Sequence, residues 1–152
     1  MVEDGSTILD TGGGILNLIN KSNDENFLVF NPDTIWNKKY IKEINSMIEL
    51  FFSKKIKNIL LLANKKLSFD RDMKGDFSLQ NHLINQEKNS KFIYTGCQIL
   101  NRSIIEKEKL TNFSIVKIWY DLINNNQLYG FESKINFYHA TNLKIFKKLQ
   151  DL

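Results

Sequence analysis

Two stretches near the start of the chain carry its strongest pattern. They are Leu9-Asp10-Thr11-Gly12-Gly13-Gly14-Ile15 and, about a dozen residues later, Phe27-Leu28-Val29-Phe30-Asn31-Pro32-Asp33. Three of the seven glycines lie in the first stretch, and a glycine turn that opens a helix near Gly14 favours anion binding by free N–H groups. Asp33 follows an apolar run that predicts a buried strand, and ligands of open α/β sheets gather at such strand ends. Each stretch alone is typical of an ordinary turn, but together they favour a phosphate site with Mg²⁺.

The next segments predict an α/β fold. Apolar residues recur at helical spacing between Lys39 and Lys54, with lysine and glutamate between them. Asn58 to Ala63 is a continuous apolar run that predicts another buried strand. A strand, a helix and a strand in this rhythm predict a βαβ unit.

Composition narrows the class of protein. The 152 residues suit one domain, residues 1–152, and 42% hydrophobic residues predict a packed core. No signal peptide and no apolar run long enough to span a membrane is visible, and Cys97 is the sole cysteine, so the cytoplasm is the expected location. Nucleic-acid binding is disfavoured although the net charge is +4, because all but two of the 21 basic residues are lysines spread along the chain.

Several common catalytic motifs do not occur. The sequence has no Gly-x-Ser-x-Gly elbow, no phosphate-binding GxxxxGK[ST] loop and no GxGxxG fingerprint. His82 and His139 are far apart in sequence and form no metal-binding spacing.

The order of several short motifs resembles the sugar-1-phosphate nucleotidyltransferases, in particular the N-acetylmuramate-1-phosphate uridylyltransferase and mannose-1-phosphate guanylyltransferase-like branch. The glycine turn and the strand ending in an Asn-x-Asp triplet are followed by Gly75-Asp76-Phe77, Tyr94-Thr95-Gly96, Phe113-Ser114 with Trp119, and Phe137-Tyr138-His139-Ala140-Thr141. The resemblance implies a Rossmann-like fold of three layers, with helices on both faces of a mixed, mostly parallel sheet.

The resemblance also implies a reaction and roles for residues. The family joins a sugar 1-phosphate to a nucleoside triphosphate and releases pyrophosphate. Asp33 would hold the catalytic Mg²⁺. The nucleotide would lie against Thr11, Gly12, Gly13 and Asn31, and the sugar against Gly75, Tyr94, Thr95 and Gly96.

The chain departs from the family pattern at two important points. The family's first strands and its triphosphate-gripping loop have no counterpart, which predicts the C-terminal two-thirds of such a domain, lacking roughly 80 residues. His139 stands where relatives often place a second metal-binding aspartate, and an imidazole is a poor ligand for Mg²⁺.

Three hypotheses remain open from the sequence. In the first hypothesis, the chain is part of a nucleotidyltransferase and has weak or no activity by itself. Whether the chain alone is an enzyme stays open in this case. Alternatively, it is a non-catalytic module that binds nucleotide sugars or sugar phosphates, or a subunit that completes a protein partner through an exposed sheet edge. The third hypothesis is an α/β domain of unrelated function.

Overall fold

A computed structural model describes residues 3, 5 and 8–151. The helices are α1 (Asp10–Ile19), α2 (Tyr40–Ser53), α3 (Val116–Asn124) and α4 (Leu143–Gln150). The strands are β1 (Asn26–Phe30), β2 (Asn58–Asn64), β3 (Ser78–Gln80), β4 (Leu83–Asn85), β5 (Phe92–Asn101) and β6 (Tyr129–Ser133). No helix in the described ranges combines the length and the hydropathy that a membrane span requires.

The described strands form one six-stranded sheet in the order β1-β5-β2-β6-β4-β3. Strands β1, β2, β3 and β6 run in one direction, whereas β4 and β5 run in the other. The predicted βαβ unit is present, but antiparallel β5 lies between β1 and β2 and pairs with both. Most of the described strands therefore run in one direction, as expected for a mostly parallel sheet. Among adjacent strands of the described sheet, however, only β2 and β6 are parallel to each other.

Helices cover both faces of the sheet, so the three-layer arrangement is confirmed. On one face, α1 and α3 enclose a core that includes Leu16, Leu60 and Trp119. On the other face, α2 packs Met47 and Phe51 against β2 and β5. Strand β2 is buried on both faces because its side chains alternate between these two cores, which explains its continuous apolar sequence.

Cys97 lies in the core beside α2 and is fully buried. Burial raises the pKa of its thiol to about 12, so the thiol stays protonated at neutral pH. A protonated thiol is a poor nucleophile, and the Cys97 side chain packs within the core.

The glycine run has a different local structure from the one predicted. Helix α1 begins at Asp10, before the three glycines. The N–H groups of Gly12 and Gly13 donate to the Phe113 carbonyl at 2.9 and 3.1 Å. A Cβ at Gly13 would lie 2.3 Å from the Thr111 carbonyl oxygen. Gly12 and Gly13 therefore allow residues 111–113 to approach α1. The N–H groups of the two glycines are already hydrogen-bonded to this segment.

Gly14 differs from its two neighbours, because no atom lies within 4 Å of the position that its Cβ would take. We expect Gly14→Ala to stabilise the isolated chain by about 0.5–1 kcal/mol, since alanine is the better helix former. Gly13→Ala should destabilise it by about 1–3 kcal/mol, because its Cβ would collide with a backbone carbonyl. Urea unfolding of the two variants checks both signs, and equal shifts would contradict the packing described.

Candidate functional site

A cleft of about 360 Å³ opens where the C-terminal end of β1 meets the middle of β5. Twelve described residues from the sheet, helix α3 and the connecting loops line the cleft. They are Asn31, Met73, Asp76, Phe77, Gln86, Ile93, Tyr94, Gly96, Val116, Trp119, Tyr120 and His139. A concave, partly aromatic cleft at a strand end is a common location for a small-molecule site.

Gly96 determines how the loop after β1 approaches the cleft. Its φ of +88° is in the region that favours glycine, and a Cβ there would lie 2.8 Å from the Cβ of Asn31. The Asn31 N–H donates to the Gly96 carbonyl at 2.7 Å. The Thr34 hydroxyl donates to the neighbouring Thr95 carbonyl at 2.7 Å. The loop carrying Asn31 and Asp33 is thus fixed directly against β5.

A second set of backbone contacts brings Asp33 and His139 together. Thr34 and His139 form an antiparallel bridge, and the Ala140 N–H donates to the Asp33 carbonyl at 2.9 Å. As a result, His139 Nε2 lies 3.3 Å from Asp33 Oδ2, although 105 positions separate the two residues in sequence. The preceding residues pair in the same way, since Phe137 forms an isolated parallel bridge with Ser68.

The electrostatics of the cleft are acidic. Asp76 is exposed at the cleft, but partial desolvation still raises the pKa of its carboxyl, and the 2.9 Å hydrogen bond that it accepts from the Tyr94 N–H offsets only part of this effect. Burial, together with nearby Cys97 and Asp33, raises the pKa of Tyr94, so its hydroxyl stays neutral. The lining residues of the described cleft include no lysine or arginine, so phosphate charge there needs a cation from elsewhere.

Two cleft residues carry polar atoms without partners. Within the described residues, four buried side-chain polar atoms have no hydrogen-bond partner, and the Tyr94 hydroxyl and His139 Nδ1 are two of them. An unpartnered buried polar atom costs about 1–3 kcal/mol. A ligand or an ordered water that supplied the missing partners would remove this cost.

The predicted nucleotide contacts are divided between two places. Asn31 lines the cleft, as expected for a binding residue. Thr11, Gly12 and Gly13 do not line it, and they hold the loop before α3 instead. The Thr11 hydroxyl accepts from the Ile115 N–H at 3.1 Å, beside the glycine contacts to Phe113. The expectation of free N–H groups in this turn is therefore wrong, because residues of the same chain occupy those at Gly12 and Gly13.

The predicted sugar contacts are divided in the same way. Tyr94 and Gly96 line the cleft, whereas Thr95 is fully buried and donates its hydroxyl to the Leu61 carbonyl at 2.8 Å. Gly75 lies outside the lining, and its Cβ would meet the Ser90 carbonyl oxygen at 2.2 Å. Thr95 and Gly75 thus support the walls of the site.

Other cleft residues were not predicted as site residues. Asp76 and Trp119 belong to segments that carry the family resemblance, so their motifs offered a signal. The sequence around Tyr120 offered no such signal. An exposed aromatic residue on a helix is not recognisable as a site residue until the fold places it at the cleft.

Metal binding is limited by the available ligands. The described residues contain no group of three or more His, Cys, Asp or Glu side chains that could hold a metal ion. Asp33 fits as one oxygen ligand of a Mg²⁺ whose other ligands are water and substrate phosphates. His139 does not fit, because Mg²⁺ prefers oxygen to imidazole nitrogen.

No protein-family model matches the chain, and no curated protein sequence matches it significantly. Solved structures with a similar fold do exist. HddC from Yersinia pseudotuberculosis, complexed with GMP-PN, is 22% identical with a TM-score of 0.68, and the match covers 94% of this chain and 62% of that one. A UDP-glucose pyrophosphorylase from Acinetobacter baumanii is 14% identical with a TM-score of 0.73, over 97% and 56% of the two chains. The inositol-1-phosphate CTP transferase from T. maritima is 11% identical with a TM-score of 0.62, over 93% and 62%.

These likenesses confirm the fold class. The chain has a partial Rossmann-like fold of the kind found in sugar-phosphate nucleotidyltransferases, and it spans about 60% of the length of those structures. At such low identities the likeness shows the fold and leaves the branch and the substrate open.

Asp76→Asn tests the electrostatics of the cleft. Because the pKa of Asp76 is raised on folding, its ionisation favours the unfolded state as the pH rises from the ordinary aspartate value through the folded pKa. The variant keeps an oxygen that accepts from the Tyr94 N–H. We therefore expect a higher urea midpoint than wild type at pH 7, and equal midpoints below the ordinary pKa. A variant that is less stable at pH 7 would contradict this description.

Proposed function

We propose that the chain contributes the sugar-phosphate part of a nucleotidyltransferase site, which transfers a nucleotidyl group from a nucleoside triphosphate to a sugar 1-phosphate. The observation that supports this most is that Asn31, Tyr94, Gly96 and His139 line one cleft, and that Asp33, which is outside the lining itself, lies 3.3 Å from His139. The fold of the solved neighbours agrees with such a reaction.

The proposed chemistry requires little from protein side chains. A phosphate oxygen of the sugar 1-phosphate attacks the α-phosphorus of the triphosphate, and the bond to the β-phosphate oxygen breaks, releasing pyrophosphate. Since the attacking oxygen is already ionised, no general base is needed. The protein's tasks are alignment of the two substrates and stabilisation of the charge on the phosphates.

Four of the cleft residues have a stated task in this proposal. Two hydrogen bonds fix the backbone of Asn31. Its N–H donates to the Gly96 carbonyl, and its carbonyl accepts from the Trp36 indole N–H at 3.1 Å. Its side chain is therefore presented to the ligand from a rigid position. Tyr94 and Asp76 supply hydroxyl and carboxylate groups that suit sugar hydroxyls. The exposed ring of Tyr120 offers an apolar surface at the cleft.

We propose Mg²⁺ as the cofactor, with Asp33 as its protein ligand. When bound, Mg²⁺ would neutralise negative charge on the phosphates, which the acidic cleft cannot do by itself. His139 would then orient the Asp33 carboxylate from 3.3 Å away without touching the metal. A cytoplasmic location stays a prediction.

A second candidate function is a non-catalytic module that binds nucleotide sugars or sugar phosphates, or a subunit that completes a partner. The apolar, exposed side chains of edge strand β1 favour this alternative. The two functions differ in turnover, since a binding module would hold a nucleotide sugar without forming pyrophosphate.

Calorimetry with UDP-glucose and GDP-mannose, in Mg²⁺ and in EDTA, tests the proposed site. We expect binding to wild type that requires Mg²⁺ and that Asp33→Asn weakens about 10- to 100-fold, because the variant loses its metal-binding charge. Glu49→Gln is the matched control, since this exposed carboxylate lies on α2, away from the loop that carries Asp33.

Equal binding by Asp33→Asn and wild type would remove Asp33 from the site. If neither ligand binds in either buffer, the cleft of this chain is not a nucleotide-sugar site. Pyrophosphate release from UTP or GTP with a sugar 1-phosphate then separates the enzyme from the binding module.

A further inference from the structure

The densest block of lysines in the chain has no task in the proposed reaction. Lys54, Lys55 and Lys57 lie in the connection between α2 and β2, and all three side chains are exposed. The described lining of the cleft does not include them. Among the described residues, none of the three forms an ion pair with a carboxylate. Their positive charges are therefore available to an anionic ligand.

The three lysines border a cavity of about 300 Å³, here called the lysine pocket, at the opposite end of the sheet from the cleft. Tyr129, the first residue of β6, lines this pocket, and Lys57 immediately precedes the first residue of β2. The cleft instead opens at the C-terminal end of β1, which runs in the same direction as β2 and β6. The two cavities share no residue in their described linings, so the lysine pocket is separate from the cleft.

The lining of the lysine pocket combines an apolar inner surface with a polar outer one. The buried or half-buried residues are Ile56, Ile104, Leu122 and Tyr129. The exposed ones are the three lysines and Gln127. Among the described lining residues there is no aspartate or glutamate. An apolar surface with a few polar groups above it is typical of small-molecule sites, and here every charged group is positive.

The backbone holds Lys55 at a position where glycine is normally favoured. At the end of α2, the Lys55 N–H donates to the Phe52 carbonyl at 3.2 Å, and the Ile56 N–H donates to the Phe51 carbonyl at 2.9 Å. This is a Schellman motif, in which Lys55 takes a left-handed conformation with a φ of +52°. A residue with a Cβ is strained there, so glycine would be more stable than lysine. The fold therefore keeps a charged side chain beside the pocket at a cost in stability.

Neutralising the helix ends does not account for three lysines. The C-terminus of a helix carries about half a negative charge, and both α2 and α3 end next to the lysine pocket. Lys54 is the C-cap of α2, and Gln127 lies shortly after the last residue of α3. The two helix ends thus offset only about one of the positive charges. The remaining charge of about two matches that of a phosphate monoester, about −1.5 to −2 at neutral pH.

We propose that the lysine pocket binds a soluble organic phosphate that has a flat, apolar body. The phosphate contacts Lys55 and Lys57, since an ammonium group binds a phosphate as a point charge. The body lies against the Tyr129 ring and the Leu122 side chain, which are otherwise partly exposed to solvent. A lipid headgroup offers the same phosphate but no flat body for this apolar surface. The inference goes beyond the proposed reaction and does not depend on it.

Pyridoxal 5′-phosphate is a direct probe of the lysine pocket, because it combines a flat ring, a phosphate and an aldehyde. A lysine amine condenses with the aldehyde to an imine with loss of water, and borohydride then reduces the imine to a stable secondary amine. In the purified chain, peptide mass spectrometry should find Lys54, Lys55 or Lys57 labelled at least tenfold more than Lys147, an exposed lysine of α4. Pyridoxal, which lacks the phosphate, should label all four about equally. Equal labelling of all four by pyridoxal 5′-phosphate would overturn the proposal.

Protection experiments test the two parts of the ligand and its source. Phenyl phosphate should prevent this labelling at a concentration at least tenfold lower than inorganic phosphate, because only phenyl phosphate covers the apolar surface. Equal protection by the two compounds would contradict a flat, apolar body. Sedimentation with vesicles that contain phosphatidylserine tests the lipid alternative. Sedimentation that requires the three lysines, together with no protection by phenyl phosphate, would assign the lysines to a membrane surface and overturn the proposal.

Lys55→Gly separates binding from folding. The variant should unfold at a higher urea concentration than wild type, since glycine relieves the strain of the left-handed conformation. Half-maximal labelling of Lys54 and Lys57 should nevertheless require about tenfold more pyridoxal 5′-phosphate, because one contact to the phosphate is lost. Lys147→Gln is the control and should leave this labelling unchanged. A Lys55→Gly variant labelled like wild type would contradict the shared phosphate contact. These readouts use no nucleotide sugar, so a failed calorimetric test leaves them informative.

Discussion

The candidate site depends on the close contact between the loop after β1 and the middle of β5, which Gly96 makes possible. With a positive φ and no side chain, Gly96 lets the Asn31 N–H and the Thr34 hydroxyl bond directly to the backbone of β5. Thr34 in turn forms a bridge with His139, which brings that imidazole to Asp33. A side chain at Gly96 would therefore displace the loop, the acidic residue and the histidine together.

Strand β5, which carries this contact, also occupies a central place in the sheet. Strand β5 lies between β1 and β2 and runs antiparallel to both. The two strands of the βαβ unit therefore each pair with β5 and not with each other. The register of β5 with β2 shifts between Leu60 and Leu62, opposite the segment that contains Gly96. Such an irregularity bends the strand locally, and β-bulges are frequent next to active sites.

The two ends of the sheet show opposite relations to their surroundings. The β3 edge is short and polar, whereas β1 is apolar on both faces and lies beside a helix with an open glycine. The lining of the described cleft also contains no lysine or arginine. Phosphate charge in the cleft would therefore need a cation that its lining residues do not supply.

The sequence by itself determined those helices and strands whose apolar pattern can be read within a short segment. Strand β2 and helix α2 were predicted almost to their ends, because a continuous apolar run and a 3.6-residue period depend only on neighbouring residues. Only the tertiary structure decided what the glycines do and which residues share the cleft. Gly13 serves a loop about 100 positions later, and Asp33 meets His139 through backbone pairing that no local pattern encodes. Contacts between distant residues arise from sheet order, and sheet order is fixed by how whole faces pack.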